Sequence, residues 1–230
     1  MNLSKRSYKK ELLDADDIPF EAIRQNMNEL NTINSWLGGH AITINAVKKF
    51  IPAGKTISIC EIGCGGGDNL YAVEKWCKKN NITASFTGID IKQSCIDFAK
   101  NKYAAMNANW ITSDYEKVNF ETKPDIIFSS LFCHHFLETE LVNMAQWMKK
   151  NCCKGFFIND LERNIIAYYA IKFLTRLFSK SYLVKHDAPL SVARGFKKKE
   201  WHIILSQANV TSYIIQWKWA FRHLVMYHAK

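Results

Sequence analysis

Positions 57–68 of the chain read Ile-Ser-Ile-Cys-Glu-Ile-Gly-Cys-Gly-Gly-Gly-Asp. An apolar run, an acidic side chain and then four glycines within five positions describe a buried strand that breaks into a tight turn and enters a helix. Glycine lets a ligand approach the backbone of such a turn, and the first N–H groups of the helix behind it point at whatever lies above. The segment therefore demands an α/β arrangement with a binding site at the carboxyl end of a strand.

The surrounding pattern agrees. Short apolar strands are expected at 56–60, 85–91, 108–112, 125–131 and 155–159, separated by helical patterns at 68–79, 93–103 and 137–151. Strands alternating with helices imply crossover connections and a parallel sheet covered on both faces. After position 196 the alternation stops: a helix at 197–207 precedes two closely joined, hence antiparallel, strands at 210–219 and 222–228. The expected fold is α/β, a mostly parallel seven-stranded sheet with helices on both faces and an antiparallel C-terminal hairpin. One domain spans 1–230, with an N-terminal helical segment at 11–51 and an insertion at 161–196 expected to cap the substrate site. In the N-terminal segment a helix starts near Pro19, with Asp16 or Asp17 as its cap, and a second, at 40–50, is ended by Pro52-Ala53-Gly54. Within the insertion, 165–178 reads as a helix and 184–196 as a polar loop.

Bulk properties narrow the class. No window offers the roughly 18 or more uninterrupted apolar residues of a membrane span, and residues 1–10 lack the apolar core of a secretory signal. Seven cysteines show no C-x-x-C spacing, and their odd number suits reduced thiols in a cytoplasm. Cys60 and Cys64 read as small buried residues. A net charge of +10 suits nucleic acid, an anionic membrane surface or an acidic carrier, and equally a basic surface with no specific partner.

Two ligand classes use a glycine turn of this kind. In the dinucleotide frame the sequence gives Gly63-x-Gly65-x-x-Asp68, and a carboxylate replaces the third glycine. Asp68 and Glu61 would both repel a pyrophosphate. A zwitterion with an ammonium and a sulfonium suits these charges better. Glu61-x-Gly63-x-Gly65-x-Gly67 resembles the first motif of class I S-adenosylmethionine-dependent methyltransferases. Asp90, ending the second strand, can accept both hydroxyls of an adenosine ribose, which an NAD enzyme would also exploit. The resemblance implies that Asp114 meets the adenine amino group and Tyr115 flanks the ring; a turn or helix-cap role for Asp114 is the alternative. Cys64, Asn69, Ile91 and Ser130 complete the expected cofactor set, and the product is S-adenosylhomocysteine.

The fourth strand runs into Ser129-Ser130-Leu131-Phe132-Cys133-His134-His135-Phe136. This resembles the small-molecule branch of the family, ubiquinone- and menaquinone-biosynthesis types included, in which histidines follow that strand. His134 or His135 suits a general base, because imidazole exchanges protons near neutral pH. The competing reading is that the pair caps the next helix. No Asn/Asp-Pro-Pro-Tyr/Phe or Pro-Cys segment is present, which argues against a base-modifying enzyme.

Ile165, Ile166, Tyr168, Tyr169, Phe173, Leu174, Leu177 and Phe178 form an apolar helical surface beside Lys172, Arg176 and Lys180. Such a helix can roof a greasy pocket or graze an anionic bilayer, or it can be an ordinary core helix. His40, Asp160, Tyr169, His186 and Arg194 are the expected substrate contacts. Segments around Asn28, Gly38-Gly39-His40, Asn159-Asp160 and 184–196 resemble a bacterial branch associated with type III polyketide synthases and flavin oxidoreductases. That resemblance implies O-methylation of a phenolic or polyketide-like compound in secondary metabolism. The sequence shows neither metal-type cysteine spacing nor the acidic cluster of a metal-dependent catechol type, so no metal is expected, and the missing base-modification motifs argue against a specific nucleic acid. Methylation of RNA or protein, a non-catalytic adenosine-binding module and an NAD-dependent oxidoreductase are the alternatives. Nothing in the sequence indicates an oligomeric state.

Overall fold

A computed structural model describes residues 3–15, 17–51 and 56–229. In chain order the elements are α1 (Phe20–Trp36), α2 (Gly39–Val47), β1 (Thr56–Ile62), α3 (Asp68–Lys79), β2 (Thr83–Asp90), α4 (Gln93–Lys102), β3 (Ala108–Thr112), β4 (Ile126–Ser130), α5 (Glu138–Asn151), β5 (Gly155–Leu161), α6 (Ile165–Phe178), α7 (Tyr182–Arg194), α8 (Lys198–Gln207), β6 (Tyr213–Lys218) and β7 (Arg222–His228). The seven strands lie in the order β3-β2-β1-β4-β5-β7-β6. The first five pair in parallel, whereas β7 runs antiparallel to both β5 and β6. This is the expected mixed sheet.

Both faces are covered, which is why the strands read as near-continuous apolar runs. Ile57, Ile59, Phe86, Phe128 and Phe157 pack beneath α2, α3 and α4 with Val47, Leu70, Val73 and Ile96. Cys60, Ile62, Ile127 and Phe156 pack on the other side against Leu141, Met144, Trp201 and Ile204 of α5 and α8. From β1 the chain moves outward to β2 and β3, then returns to lay β4 on the other flank. Strand order reverses there, so the carboxyl ends of β1 and β4 border a crevice.

Several boundaries differ from expectation for identifiable reasons. β1 continues to Ile62, so Glu61 lies inside the strand, in register with Gly88 and Phe128. β5 likewise reaches Leu161 and carries Asp160. Helix α1 begins after Pro19 with no side-chain cap, so Asp17 does not serve as one; Asp16 lies outside the described residues, as does the turn at Pro52-Ala53-Gly54. The stretch 184–196 is not a loop: most of it is α7. Ser181 Oγ caps this helix by accepting from Val184 N (3.3 Å), and Leu183, Val184, Asp187, Leu190 and Arg194 form a buried stripe at helical spacing. Pro189 removes one helix hydrogen bond, a cost that this burial offsets. Helix α6 turns Ile166, Tyr169, Phe173, Leu177 and Phe178 outward, and buries only Ala167 and Thr175.

Candidate active site

The glycine turn leaves β1 immediately after Ile62. Gly63, Gly65 and Gly67 all have positive φ (65°, 49° and 77°), where L side chains are strained. A Cβ on Gly67 would overlap the Trp110 ring, whereas one on Gly65 would meet nothing within 4 Å. Gly65 is therefore the open point of the turn. Cys64 is buried beneath it and donates its N–H to Ile89 O (3.0 Å).

Glu61 sits under this turn, 1 % exposed. Its Oε1 accepts from Asn69 Nδ2 (3.1 Å), and its Oε2 has no partner among the described residues. Burial, helped by the nearby charges of Asp68 and Asp90, holds its carboxyl well above the usual carboxylate range. Asp90 accepts from Gly65 N and Lys92 N, one to each oxygen (2.9 Å both), which leaves lone pairs on each. Burial pushes this carboxyl up as well. Ile91, next in the chain, is 70 % exposed. Asp114 is half-buried and caps a one-turn helix by accepting from Glu116 N (3.1 Å). The Tyr115 ring is packed in the core, edge-on to Trp147 at 5.2 Å. His40 joins this side of the site, with Nε2 2.8 Å from Asp68 Oδ2.

These features suit S-adenosylmethionine. An unpartnered buried carboxylate oxygen seeks a cation, the backbone is open at Gly65, and Asp90 has capacity for two hydroxyls. The acidic groups Glu61 and Asp68 at the turn do not suit a pyrophosphate.

The second half of the site follows β4. Ser130, buried at the strand end, leads to Leu131, a non-glycine residue at φ 54° whose N–H donates to Asn159 O (2.9 Å). A one-turn helix then presents the two histidines. Asp160, fully buried on β5, organises this turn. Its Oδ2 accepts from Phe132 N (3.2 Å) and His134 N (3.3 Å), and its Oδ1 accepts from His134 Nδ1 (2.8 Å). Burial alone would raise the Asp160 carboxyl, but the His134 ring and Leu161 N–H outweigh it and hold it below the usual range. The histidines do not cap α5; Glu140 does so by accepting from Leu137 N.

Arg194 donates Nε to His134 O (2.8 Å) and Nη2 to His135 O (2.7 Å), so its guanidinium is committed to holding the turn. Of the expected substrate contacts, Asp160 and Arg194 meet the histidine pair. His40 stands on the glycine-turn side, Tyr169 points outward on α6, and His186 is half-exposed beside Asp187.

Sequence reasoning missed the N-terminal strip. Arg6 donates Nη2 to His134 O (3.0 Å) and Nε to Arg194 O (2.6 Å). Glu11, buried, faces His134 Nε2 with Oε1 (3.6 Å) and His135 Nε2 with Oε2 (3.7 Å), while Asp14 accepts from His135 Nδ1 (2.9 Å). One ligand atom each from Glu11, His134 and His135 fits within 4.8 Å, a donor set able to hold a metal ion. Arg222 was missed too. Its buried Nε and Nη1 have no partner among the described residues, and burial pulls the guanidinium down to about 10. No periodicity or motif marks any of these positions.

Residues 59–155 match a family described as methyltransferase domain. A malonyl-[acyl-carrier protein] O-methyltransferase of Priestia megaterium is 35 % identical over 95 residues, which cover 40 % of this chain and 33 % of that protein. A ubiquinone biosynthesis O-methyltransferase of Coxiella burnetii is 32 % identical over 118 residues, 48 % of this chain and 46 % of the relative. The chain thus spans less than half the length of either relative. Among solved structures, the plantazolicin methyltransferase BpumL in complex with SAH superposes with a TM-score of 0.69 at 17 % identity, covering 90 % of both chains. Human N-acetylserotonin methyltransferase in complex with SAM gives 0.61 at 14 %, over 90 % of this chain and 55 % of that one. The structural likeness carries the fold.

Proposed function

We propose, on the premise that this chain belongs to the class I S-adenosylmethionine-dependent methyltransferases, that it methylates the hydroxyl of a small lipophilic compound, phenolic or polyketide-like. The observation that carries this reading is the buried His134–Asp160 pair, set at the carboxyl ends of β4 and β5 and separated from the glycine turn by the Phe132 ring. Bound S-adenosylmethionine supplies a methyl group already activated on a sulfonium. Glu61 and Asn69 would hold its amino end, Gly63, Cys64, Gly65 and Gly67 its approach to the backbone, and Asp90 its ribose, with Ile91, Asp114, Tyr115 and Ser130 around the rest. Loss of the methyl group leaves S-adenosylhomocysteine.

What remains for the protein is to position the acceptor and take its proton. Asp160 keeps the proton of His134 on Nδ1 and so leaves the Nε2 lone pair for the acceptor hydroxyl, with His135 as the second candidate. Positioning supplies about 7–11 kcal/mol in well-oriented systems, and a base about 10²- to 10⁴-fold in rate. His40, Asp160, Tyr169, His186 and Arg194 are proposed around the acceptor, directly or through the turn. The whole chain acts as one domain, with 11–51 and 161–196 closing over the site. Among the described residues no helix is long and apolar enough to cross a membrane. The outward apolar face of α6, flanked by Lys172 and Arg176, supports surface contact with an anionic membrane for a protein working in the cytoplasm.

The test is transfer of a labelled methyl group from S-adenosylmethionine to a panel of phenols and their methyl ethers, with calorimetry of the same protein against S-adenosylhomocysteine and NAD. Label in the phenols but not the ethers, with stoichiometric S-adenosylhomocysteine, is expected. Absence of saturable affinity for either sulfur nucleoside would sink the reading, and tight NAD binding would replace it.

A further inference from the structure

We infer that Glu11, His134 and His135 form a binding site for one divalent transition-metal ion of the Zn²⁺ class. The ligand atoms converge without touching: His134 Nε2 is 3.6 Å from Glu11 Oε1, and His135 Nε2 is 3.7 Å from Glu11 Oε2. Both gaps exceed a hydrogen bond. They suit an ion lying about 2.0–2.2 Å from nitrogen and oxygen ligands.

The rings are already set for coordination. Asp160 holds Nδ1 of His134 at 2.8 Å and Asp14 holds Nδ1 of His135 at 2.9 Å. Each carboxylate places the ring proton on Nδ1 and leaves the Nε2 lone pair facing Glu11, as partners of metal-bound histidines do. Charge points the same way. Glu11, Asp14 and Asp160 bring three carboxyl groups to the two imidazoles, and among the described residues Arg194, 3.6 Å from Asp14, is the one guanidinium paired with them. Arg6 is balanced separately by Glu138. A cation among these carboxyl groups offsets their charge. Two imidazoles and a carboxylate favour Zn²⁺ or a similar ion over Mg²⁺ or Ca²⁺, which prefer all-oxygen shells. Three protein ligands leave a position open, and the His135 side chain, 21 % exposed, marks the way in. The expectation of a metal-free protein rested on cysteine spacing and acidic clusters, and neither scans for ligands 123 positions apart, as Glu11 and His134 are (134 − 11).

The site stands independently of the proposed reaction, but its consequence rests on that reading. With both Nε2 atoms coordinated, neither ring can accept a proton. Ion-loaded protein should therefore bind S-adenosylmethionine normally and methylate slowly.

The experiment uses the full chain, stripped by a chelator and desalted, then titrated with Zn²⁺ against a chromophoric competitor, with metal content read by plasma mass spectrometry. One Zn²⁺ per chain is expected, with no comparable uptake of Mg²⁺. Asp14→Asn should weaken Zn²⁺ about 10- to 100-fold, and His135→Ala and Glu11→Gln further. Unchanged unfolding temperature without metal checks the fold of each variant, and Zn²⁺ should raise that temperature most in the parent. No uptake by the parent, or equal uptake by the variants, overturns the site. Activity measured on the same samples tests the other reading separately: uptake as expected but turnover only with Zn²⁺ present would keep the site and overturn the histidine base.

Discussion

Glu61→Gln keeps the shape of a side chain that is 1 % exposed, replaces one carboxyl oxygen by an amide NH2 and so removes its ability to carry charge. In the free protein that charge is costly. One oxygen accepts from an amide, the other has no hydrogen-bond partner among the described residues, and burial raises the carboxyl well above its ordinary 4.5. The sign follows from linkage. A folded-state pKa above the unfolded one means that the folded protein binds the proton more tightly. The stabilisation is then present below pH 4.5 and lost as pH rises towards the folded value. Glutamine does not titrate, so the variant should gain on the parent as pH rises above the ordinary 4.5. Each pKa unit of displacement is worth about 1.4 kcal/mol, and for a chain of this size 1 kcal/mol moves the unfolding temperature by about 2–4 °C. The variant should melt several degrees higher at about pH 8 and close to the parent at about pH 5. Its cofactor binding should suffer in the opposite direction. A charge-assisted hydrogen bond to an ammonium is worth about 1.5–3 kcal/mol, so calorimetry should show roughly 10- to 150-fold weaker binding of S-adenosylmethionine. Affinity within twofold of the parent, or a variant that melts lower at the higher pH, would refute the placement of the amino group on Glu61.

Other perturbations separate the parts of the site. Gly65→Ala faces open space and should fold, at a conformational cost of about 1–2 kcal/mol, yet lose cofactor affinity; Gly67→Ala adds an overlap with Trp110 and should cost about 1–3 kcal/mol more, read by thermal unfolding. Asp160→Asn should lower kcat about 10²-fold or more by releasing His134 Nδ1, with calorimetric affinity for S-adenosylmethionine unchanged. Phe173→Asp with Phe178→Asp should abolish co-sedimentation with anionic vesicles and shift stability by no more than about 0.5 kcal/mol per site, since both side chains are exposed.

The sheet was readable because burial on two faces writes itself as uninterrupted apolar strands, and the tight spacing of β6 and β7 left only an antiparallel pairing. The glycine-turn half of the candidate site was readable for a related reason: Glu61, the glycines and Asp90 lie at or near strand ends, where local chemistry and position coincide. Reading stopped at Cys60 because a carboxylate usually ends a buried run, whereas here Asn69 and the depth of the sheet keep Glu61 within it. Helix α7 was hidden by Pro189 and by polar residues that turn out to serve the N-terminal strip, Asp187 accepting from Leu12 N and Leu13 N. The acceptor half was least readable. His134 and His135 stood out by type, but Arg6, Glu11 and Asp14 reach them only through contacts that span more than a hundred positions, and such contacts leave no local pattern.

The strip from Arg6 to Asp14 also bears on how the protein is handled at the bench. Purification handles are commonly fused ahead of the first residues, on the assumption that this end is expendable. Here Arg6 secures two carbonyls and Ser7 hydrogen-bonds to Ala193, so anything that crowds this strip disturbs the floor on which the imidazoles rest.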